Sequence, residues 1–587
     1  MKRTMIFLAV MFFAVSAVFA GGPADSDPIK AVSRLKEFKA QESLRKAAAV
    51  EKMKQAAKYG QQEKQNIDML HYDLDLFVDP SQRFISGTVT LTFSPTAALS
   101  SISFRLHKKL NLVSIIATLD DGVTFNFKRK KDDIKIDFTS PLQKDAIYQI
   151  SLTYRGAPQM TGALGGGMLF SDHDGVMSAT TLSEPFEAYA WWPVIDEVSD
   201  KFTADINLKT PAGMVGASNG TLEGTVTNQD GTVTYMWSED YPIPAYLISV
   251  NVTNYEHFSD SYTSLDGSTA MPLEYYVYPE HLSEARTNFE DIPEMISLYA
   301  GLVGEYPFIG EKYGQVEFPW GGAMEHQTLT SMGDYFVGYS DYYNNLIYAH
   351  ELSHQWFGDE VTCGTWHDIW LNEGFATYFE VLWMVHEYSS YGLTVGGVLG
   401  SYYDDGLANG ALRGTVYVKN ENKPFADSDA IYTKGAWVLH MLSRVMGEEK
   451  FWQAMRAYRE RHSMSSAVTD DFMSVCEEFH GSDLKWFFDQ WVYTKKRPVY
   501  SWTYSQSGNT LNISVMQKQK HKIANRSENN DRYIMPIDIT VYYDDGREET
   551  VVINNDERSQ DFSVAVSGTV SNVDFDKGNF ILKEMKD

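Results

Sequence analysis

The chain has 587 residues, 43% of them hydrophobic, and a formal net charge of −28. That length exceeds a single core and calls for about three or four domains. So acidic a surface argues against nucleic acid as a partner. Only two cysteines occur, Cys363 and Cys476. They exclude a disulfide framework and stand at no metal-ligand spacing, and whether they pair stays open.

Residues 1–20 read as a secretory signal peptide. Lys2 and Arg3 precede the apolar run Met5 to Val15, and Val18-Phe19-Ala20 supplies a small-residue cleavage site before Gly21. Export to the periplasm or the cell exterior follows, and no later apolar run is long enough to span a membrane. Residues 21–66, rich in Ala, Lys, Gln and Glu, form a charged helical or mobile leader that acts as a spacer or a prosegment. Short alternating strands begin next, at His71 to Val78, Ser86 to Phe93 and Tyr148 to Tyr154, and predict a β-rich domain over 67–258. A mixed domain follows over 259–496. It opens with a strand around Gln315 to Trp320, and Gly314 to Gly322 is expected to be an edge strand and loop along which an extended chain can add. Helices are expected over Tyr342 to Phe357, Lys450 to His462 and Thr469 to His480. Alternation returns in Tyr500 to Tyr504, Leu511 to Met516 and Ile537 to Tyr543, which predicts a β-sandwich over 497–587. The fold class is therefore multidomain α+β.

The chemistry concentrates in His350-Glu351-Leu352-Ser353-His354. On a helix, residues four apart share one face, so both imidazoles can hold one ion. Glu351 lies about 100° round the helix, where it reaches a water on that ion rather than the ion itself. Ser340 or Asp341 can cap the helix start, and Gly358 is placed to stop it. Further on, Glu373 interrupts the apolar helical stretch Trp366 to Phe379. A carboxylate buried among Trp, Leu and Phe needs a partner. Zn²⁺ is such a partner, and two histidines plus one glutamate leave a fourth position for water, the open arrangement of a hydrolytic site. Thr377, one turn beyond Glu373, is either a hydrogen-bonding support for it or an ordinary helix threonine.

With these residues in view the chain resembles the gluzincin zinc aminopeptidases of the aminopeptidase N and leukotriene-hydrolase type, from about Asp68 to the C-terminus. The family's eighteen-residue gap between HExxH and Glu corresponds to residues 355–372. Its Gly-x-Met-Glu-Asn motif is similar to Gly322-Ala323-Met324-Glu325-His326, and its Tyr-x-Lys-Gly-Ala segment to Tyr432-Thr433-Lys434-Gly435-Ala436. The resemblance implies a β-sheet saddle domain at the N-terminus, a thermolysin-like catalytic domain and a C-terminal β-sandwich. It implies one Zn²⁺ per chain held by His350, His354 and Glu373, with Glu351 as general base and Tyr432 stabilising the oxyanion. It also implies that Glu325 binds the α-amine of peptide substrates with a free N-terminus. A second amine anchor is expected in Ser183 to Glu197, at Glu184, with Glu187 as its rival. The oligomeric state is left open.

The chain departs from the family pattern at His326, where asparagine is usual, and at Leu182, where many members carry glutamine. Both changes bear on substrate preference, the first also on pH dependence. The family's large helical domain after the sandwich is missing here, which predicts a less enclosed site. Two alternatives stand beside the aminopeptidase reading. One is another gluzincin hydrolase, an endopeptidase or epoxide hydrolase. The other is a non-catalytic binding protein on a peptidase scaffold.

Overall fold

Alternating burial organises the first third of the chain. The computed structural model describes residues 62, 64–162, 165–339, 344–404, 412–528 and 530–586. The expected signal peptide, and the leader apart from residues 62 and 64–66, lie outside them. Strand Ile67–Asp79 turns Leu74, Leu76 and Val78 into the core and His71, Asp73 and Asp75 away from it. It sits at the centre of a seven-stranded sheet, parallel to Phe202–Thr210 and antiparallel to Phe84–Pro95. A five-stranded sheet that includes Gly166–His173, Val176–Leu182 and Val250–Thr253, and a three-stranded one, complete this β-rich part.

The next sheet begins a few residues before the expected boundary. Strand Glu256–Thr263 spans Phe258 and pairs with Ala270–Val277. Tyr255 is buried and donates its hydroxyl to Glu317 O at 2.7 Å, which fastens the incoming chain to this second sheet. The sheet order is Glu256–Thr263, Ala270–Val277, Tyr313–Phe318, Thr330–Gly333, Ala323–Met324. The expected edge strand over Gly314 to Gly322 is therefore corrected. Tyr313–Phe318 is buried along its whole length and has parallel neighbours on both sides. The edge is instead Ala323–Met324, joined antiparallel to Thr330–Gly333. Parallel pairing joins segments distant in sequence, so local pattern does not reveal which strand ends a sheet.

Helices follow, among them Asn344–Ser353, Trp370–Glu387, Gly435–Met446, Glu448–His462 and Thr469–His480. The C-terminal part is two sheets, one with Val499–Ser507 and Thr510–Gln517, the other with Met535–Tyr543 at its centre. Tyr500, Ile513 and Val515 from the first and Ile537, Ile539 and Val541 from the second are buried, as a sandwich requires. Cys363 and Cys476 are both buried and free. Among the described residues no helix is long and apolar enough to cross a membrane.

Candidate active site

The first histidine helix is shorter than its sequence suggests. It runs over Asn344–Ser353, not to Phe357, and the expected caps Ser340 and Asp341 lie outside the described residues. Ser353 Oγ donates back to His350 O at 2.8 Å, a local bond that competes with the helical ladder. Beyond it the backbone tightens to i→i−3 bonds, Gln355 N to Leu352 O and Trp356 N to Ser353 O, both 3.1 Å. His354 thus sits on the turn just after the helix. Gly358 has φ +145°, and a Cβ there would come within 2.9 Å of His354 Nδ1, so its lack of a side chain makes room for the ring.

Glu373 arrives on the first turn of Trp370–Glu387, preceded by the 3₁₀ turn Trp366–Asp368. The donor atoms of His350, His354 and Glu373 all lie within 4.8 Å of one another. Glu373 Oε2 is 3.4 Å from His350 Nε2 and 3.5 Å from His354 Nε2. Ligands about 2.0–2.1 Å from a tetrahedral zinc ion stand roughly 3.4 Å apart, which both separations from Glu373 Oε2 match. The other ring nitrogens are engaged: His350 Nδ1 lies 3.2 Å from Glu380 Oε2, and His354 Nδ1 3.1 Å from Phe357 O. Those contacts occupy Nδ1 of both rings and leave Nε2 facing Glu373, where it can serve as the lone-pair donor to a metal. Burial alone would raise the Glu373 carboxyl, but the two imidazoles hold it well below the usual range.

Glu351 belongs to a second cluster, its carboxylate within 4.8 Å of the donor atoms of Glu325 and His354. Burial pushes its carboxyl up to about 7 against the pull of both histidines, into the range where a carboxyl can exchange a proton near neutrality. Tyr432 is on the π-helical turn Ala430–Lys434, which leads into Gly435–Met446. Its hydroxyl donates to Glu373 Oε1 at 2.5 Å, and its ring stacks on His350 at 5.8 Å. The close approach has a backbone cause. A Cβ on Gly374 would fall 2.9 Å from Gly435 Cα, so only two facing glycines bring these helices together at that distance.

The Glu184 carboxylate comes close enough to Glu325, Glu351 and Glu373 to feel their charges. Glu184 lies in the buried turn after Val176–Leu182, where Ser183 O accepts Glu187 N at 2.8 Å and Ser183 Oγ accepts Trp191 Nε1 at 3.0 Å. Burial first, then the Glu325, Glu373 and Glu351 carboxylates, push the Glu184 carboxyl well above its usual range. Burial likewise raises Glu325. One oxygen of each, Glu184 Oε1 and Glu325 Oε1, is buried with no hydrogen-bond partner among the described residues. Glu187 is different: its Oε2 accepts Phe186 N at 3.0 Å, and its side chain fills the space beside Gly162 and Gly166. Glu187 thus has a backbone donor for its carboxylate, which Glu184 Oε1 lacks among the described residues.

Gly322 O accepts Gly333 N at 3.0 Å, and Ala323 and Met324 pair with Met332 and Ser331, so the motif's backbone forms the sheet edge beside the pocket. His326 is fully buried, its Nδ1 2.8 Å from Ser331 Oγ. Burial lowers it to about 3, so it stays neutral through the neutral range and adds no charge step there. Leu182 is buried in strand Val176–Leu182, opposite Gly167. Thr377 supports only backbone, donating to Glu373 O at 2.8 Å.

Sequence reasoning missed Glu380, which is fully buried and bound between His350 Nδ1 and the Tyr402 hydroxyl at 2.7 Å. Its signal was present, a second lone carboxylate two turns beyond Glu373 in the same apolar helix. It also missed Asp359, buried with neither carboxylate oxygen hydrogen-bonded among the described residues. Glu380→Ala is expected to weaken metal affinity about 10- to 100-fold, measured by competition with a chromophoric chelator. Unchanged affinity would reduce the contact to packing.

Two family models match the chain: the Peptidase M1 N-terminal domain over residues 68–247 and the Peptidase family M1 domain over residues 302–491. Glutamyl aminopeptidase of Sus scrofa is 26% identical over 547 residues, covering 88% of this chain and 55% of that protein. Aminopeptidase N of Lactococcus lactis subsp. lactis is 27% identical over 467 residues, covering 73% of this chain and 51% of its own length. The chain thus spans about half the length of these relatives. In fold it is similar to Legionella pneumophila aminopeptidase A (TM-score 0.73, 16% identity, 91% of this chain and 60% of that one). It is also similar to an M1 zinc metallopeptidase from Deinococcus radiodurans (TM-score 0.64, 24% identity, 74% of this chain and 95% of that one). With both of its characteristic domains matched in order, and the HExxH–Glu cluster assembled inside the second, the chain belongs to peptidase family M1.

Proposed function

We propose that the protein is a zinc-dependent aminopeptidase that removes single residues from peptide N-termini. The observation that carries this reading is the pair Glu184 and Glu325, each with a buried, unpartnered carboxylate oxygen beside the His350–His354–Glu373 cluster. Burial, and for Glu184 the neighbouring carboxylates, raise both carboxyls, so a cation between them is favoured, and a substrate α-ammonium supplies both charge and hydrogen-bond donors. An internal peptide offers one amide N–H and no charge at that place, so at least one carboxylate would stay unsatisfied. This disfavours an endopeptidase. The intact base and ligand set disfavour a purely binding role.

His350, His354 and Glu373 would hold the ion, which when bound polarises the scissile carbonyl and acidifies water. Glu351 takes the proton from the attacking water and passes it to the leaving nitrogen. Tyr432 turns its hydroxyl from Glu373 towards the developing oxyanion and donates a hydrogen bond there. Glu325 and Glu184 fix the α-amine and so the depth of entry, and the edge strand Ala323–Met324 aligns the extended substrate backbone. The basic start and apolar run of residues 1–20 support an exported enzyme that meets its peptides in the periplasm or outside the cell.

Aminoacyl arylamides and their N-acetylated counterparts test the reading. The free-amine set is expected to be cleaved with kcat/KM at least about 100-fold higher, because blocking removes a charge-assisted contact to two buried carboxylates. Equal cleavage of both sets would overturn the amine-binding roles.

A further inference from the structure

The mechanism uses Glu325 but leaves open what holds its carboxylate at the right height over the cluster. Its backbone belongs to the short turn between Ala323–Met324 and Thr330–Gly333, closed by Leu329 N to His326 O at 3.0 Å. Within that turn Thr328 has φ +61°, a left-handed conformation that a β-branched residue rarely adopts. The surroundings must impose it.

They do so through one fully buried side chain. Gln355 stands immediately after His354, and its Oε1 accepts Thr328 N at 2.9 Å and the Tyr306 hydroxyl at 3.1 Å. Its Nε2 donates to Glu325 O at 3.4 Å. One amide thus bridges the histidine turn and both ends of the glutamate turn. From the opposite side the N-terminal domain closes on the same residues. Glu239, fully buried, accepts Gln327 Nε2 at 2.9 Å and lies 3.1 Å from Thr328 Oγ1. Asn219 Nδ2 donates to Gln327 O at 2.6 Å, and Lys312 Nζ to Thr328 O at 3.2 Å.

We propose that Gln355 is a positioning residue for amine recognition, setting the distance between Glu325 and the His350–His354–Glu373 cluster, with Glu239 as its counterpart from the N-terminal domain. This rests on the aminopeptidase reading. A primary amide suits the task because it offers both an acceptor for Thr328 N and a donor for Glu325 O. A carboxylate would lose the donor and place a charge beside Glu325, and a methionine of similar volume would lose both bonds.

Gln355→Met, Glu325→Gln and the double variant, assayed on free-amine aminoacyl arylamides with zinc content measured in parallel, form the test. Gln355→Met is expected to raise KM about 10- to 30-fold with kcat within about threefold and zinc retained, since misplacing a binding group by a fraction of an ångström falls on substrate positioning. In the double variant KM should equal that of Glu325→Gln alone, because a positioning residue has nothing left to position. Glu239→Gln is expected to shift KM the same way by a smaller factor. If Glu325→Gln leaves KM unchanged, the amine-binding reading itself fails. If Glu325→Gln raises KM but Gln355→Met does not, or the two effects multiply, the positioning role is overturned. Loss of zinc or of kcat in Gln355→Met would also overturn it, in favour of a support for His354.

Discussion

Replacing Glu351 with glutamine is expected to lower kcat about 10³- to 10⁴-fold while zinc content and KM hold near their wild-type values. The side chain keeps its shape and loses only its ability to take a proton. Its surroundings make the result easy to interpret. Glu351 is buried near Glu325, and the Glu325 and Glu373 carboxylates help to raise it. Burial is the chief cause of that rise, so removing the buried charge relieves a desolvation cost that exceeds the pull of the histidines, and the variant should melt no lower than the wild type. An inactive enzyme with full zinc and an undiminished Tm would isolate proton transfer as the lost step. A kcat within tenfold of wild type would mean that another group, such as the neighbouring Glu325, serves as base.

Tyr432→Phe is the second large effect, about 10²- to 10³-fold in kcat with KM within about threefold. Phenylalanine retains the stack on His350 and deletes the hydroxyl that donates to Glu373 Oε1. If that hydroxyl only steadied Glu373, the loss would appear as faster zinc release under a chelator, with normal turnover in saturating zinc. If it serves the oxyanion, turnover falls however much zinc is supplied. Single-turnover rates at saturating zinc decide between the two.

The parts of this site that could be read in the sequence are those set by local geometry. The i, i+4 spacing of His350 and His354 survives even though the helix ends at Ser353, because a tightened turn still carries His354 round to the same ion. Glu373 was legible because a charge in an apolar helix requires a partner. The sheet edge was not, since Tyr313–Phe318 and its parallel neighbours come from distant segments and only the assembled sheet shows which strand is outermost. Gln355 and Glu239 were equally hidden. An uncharged amide after a histidine carries no local signal, and its partners lie 27 and 30 residues away, at Thr328 and Glu325. Glu184 and Glu187 could not be distinguished by spacing alone; both are buried, and only Glu187 has a backbone N–H on a carboxylate oxygen where Glu184 Oε1 has no partner among the described residues.

The contact between Gly374 and Gly435 has a consequence for how this site can diversify. Two main chains in van der Waals contact leave no side chain between them to be exchanged, so the register between the carboxylate on one helix and the phenol on the other cannot drift by gradual substitution. The reactive geometry is thereby insulated from the residues that shape the substrate pocket. Side chains elsewhere around the site can change without moving this contact, whereas a single methyl at either glycine is expected to push the two helices apart and with them Glu373 from Tyr432.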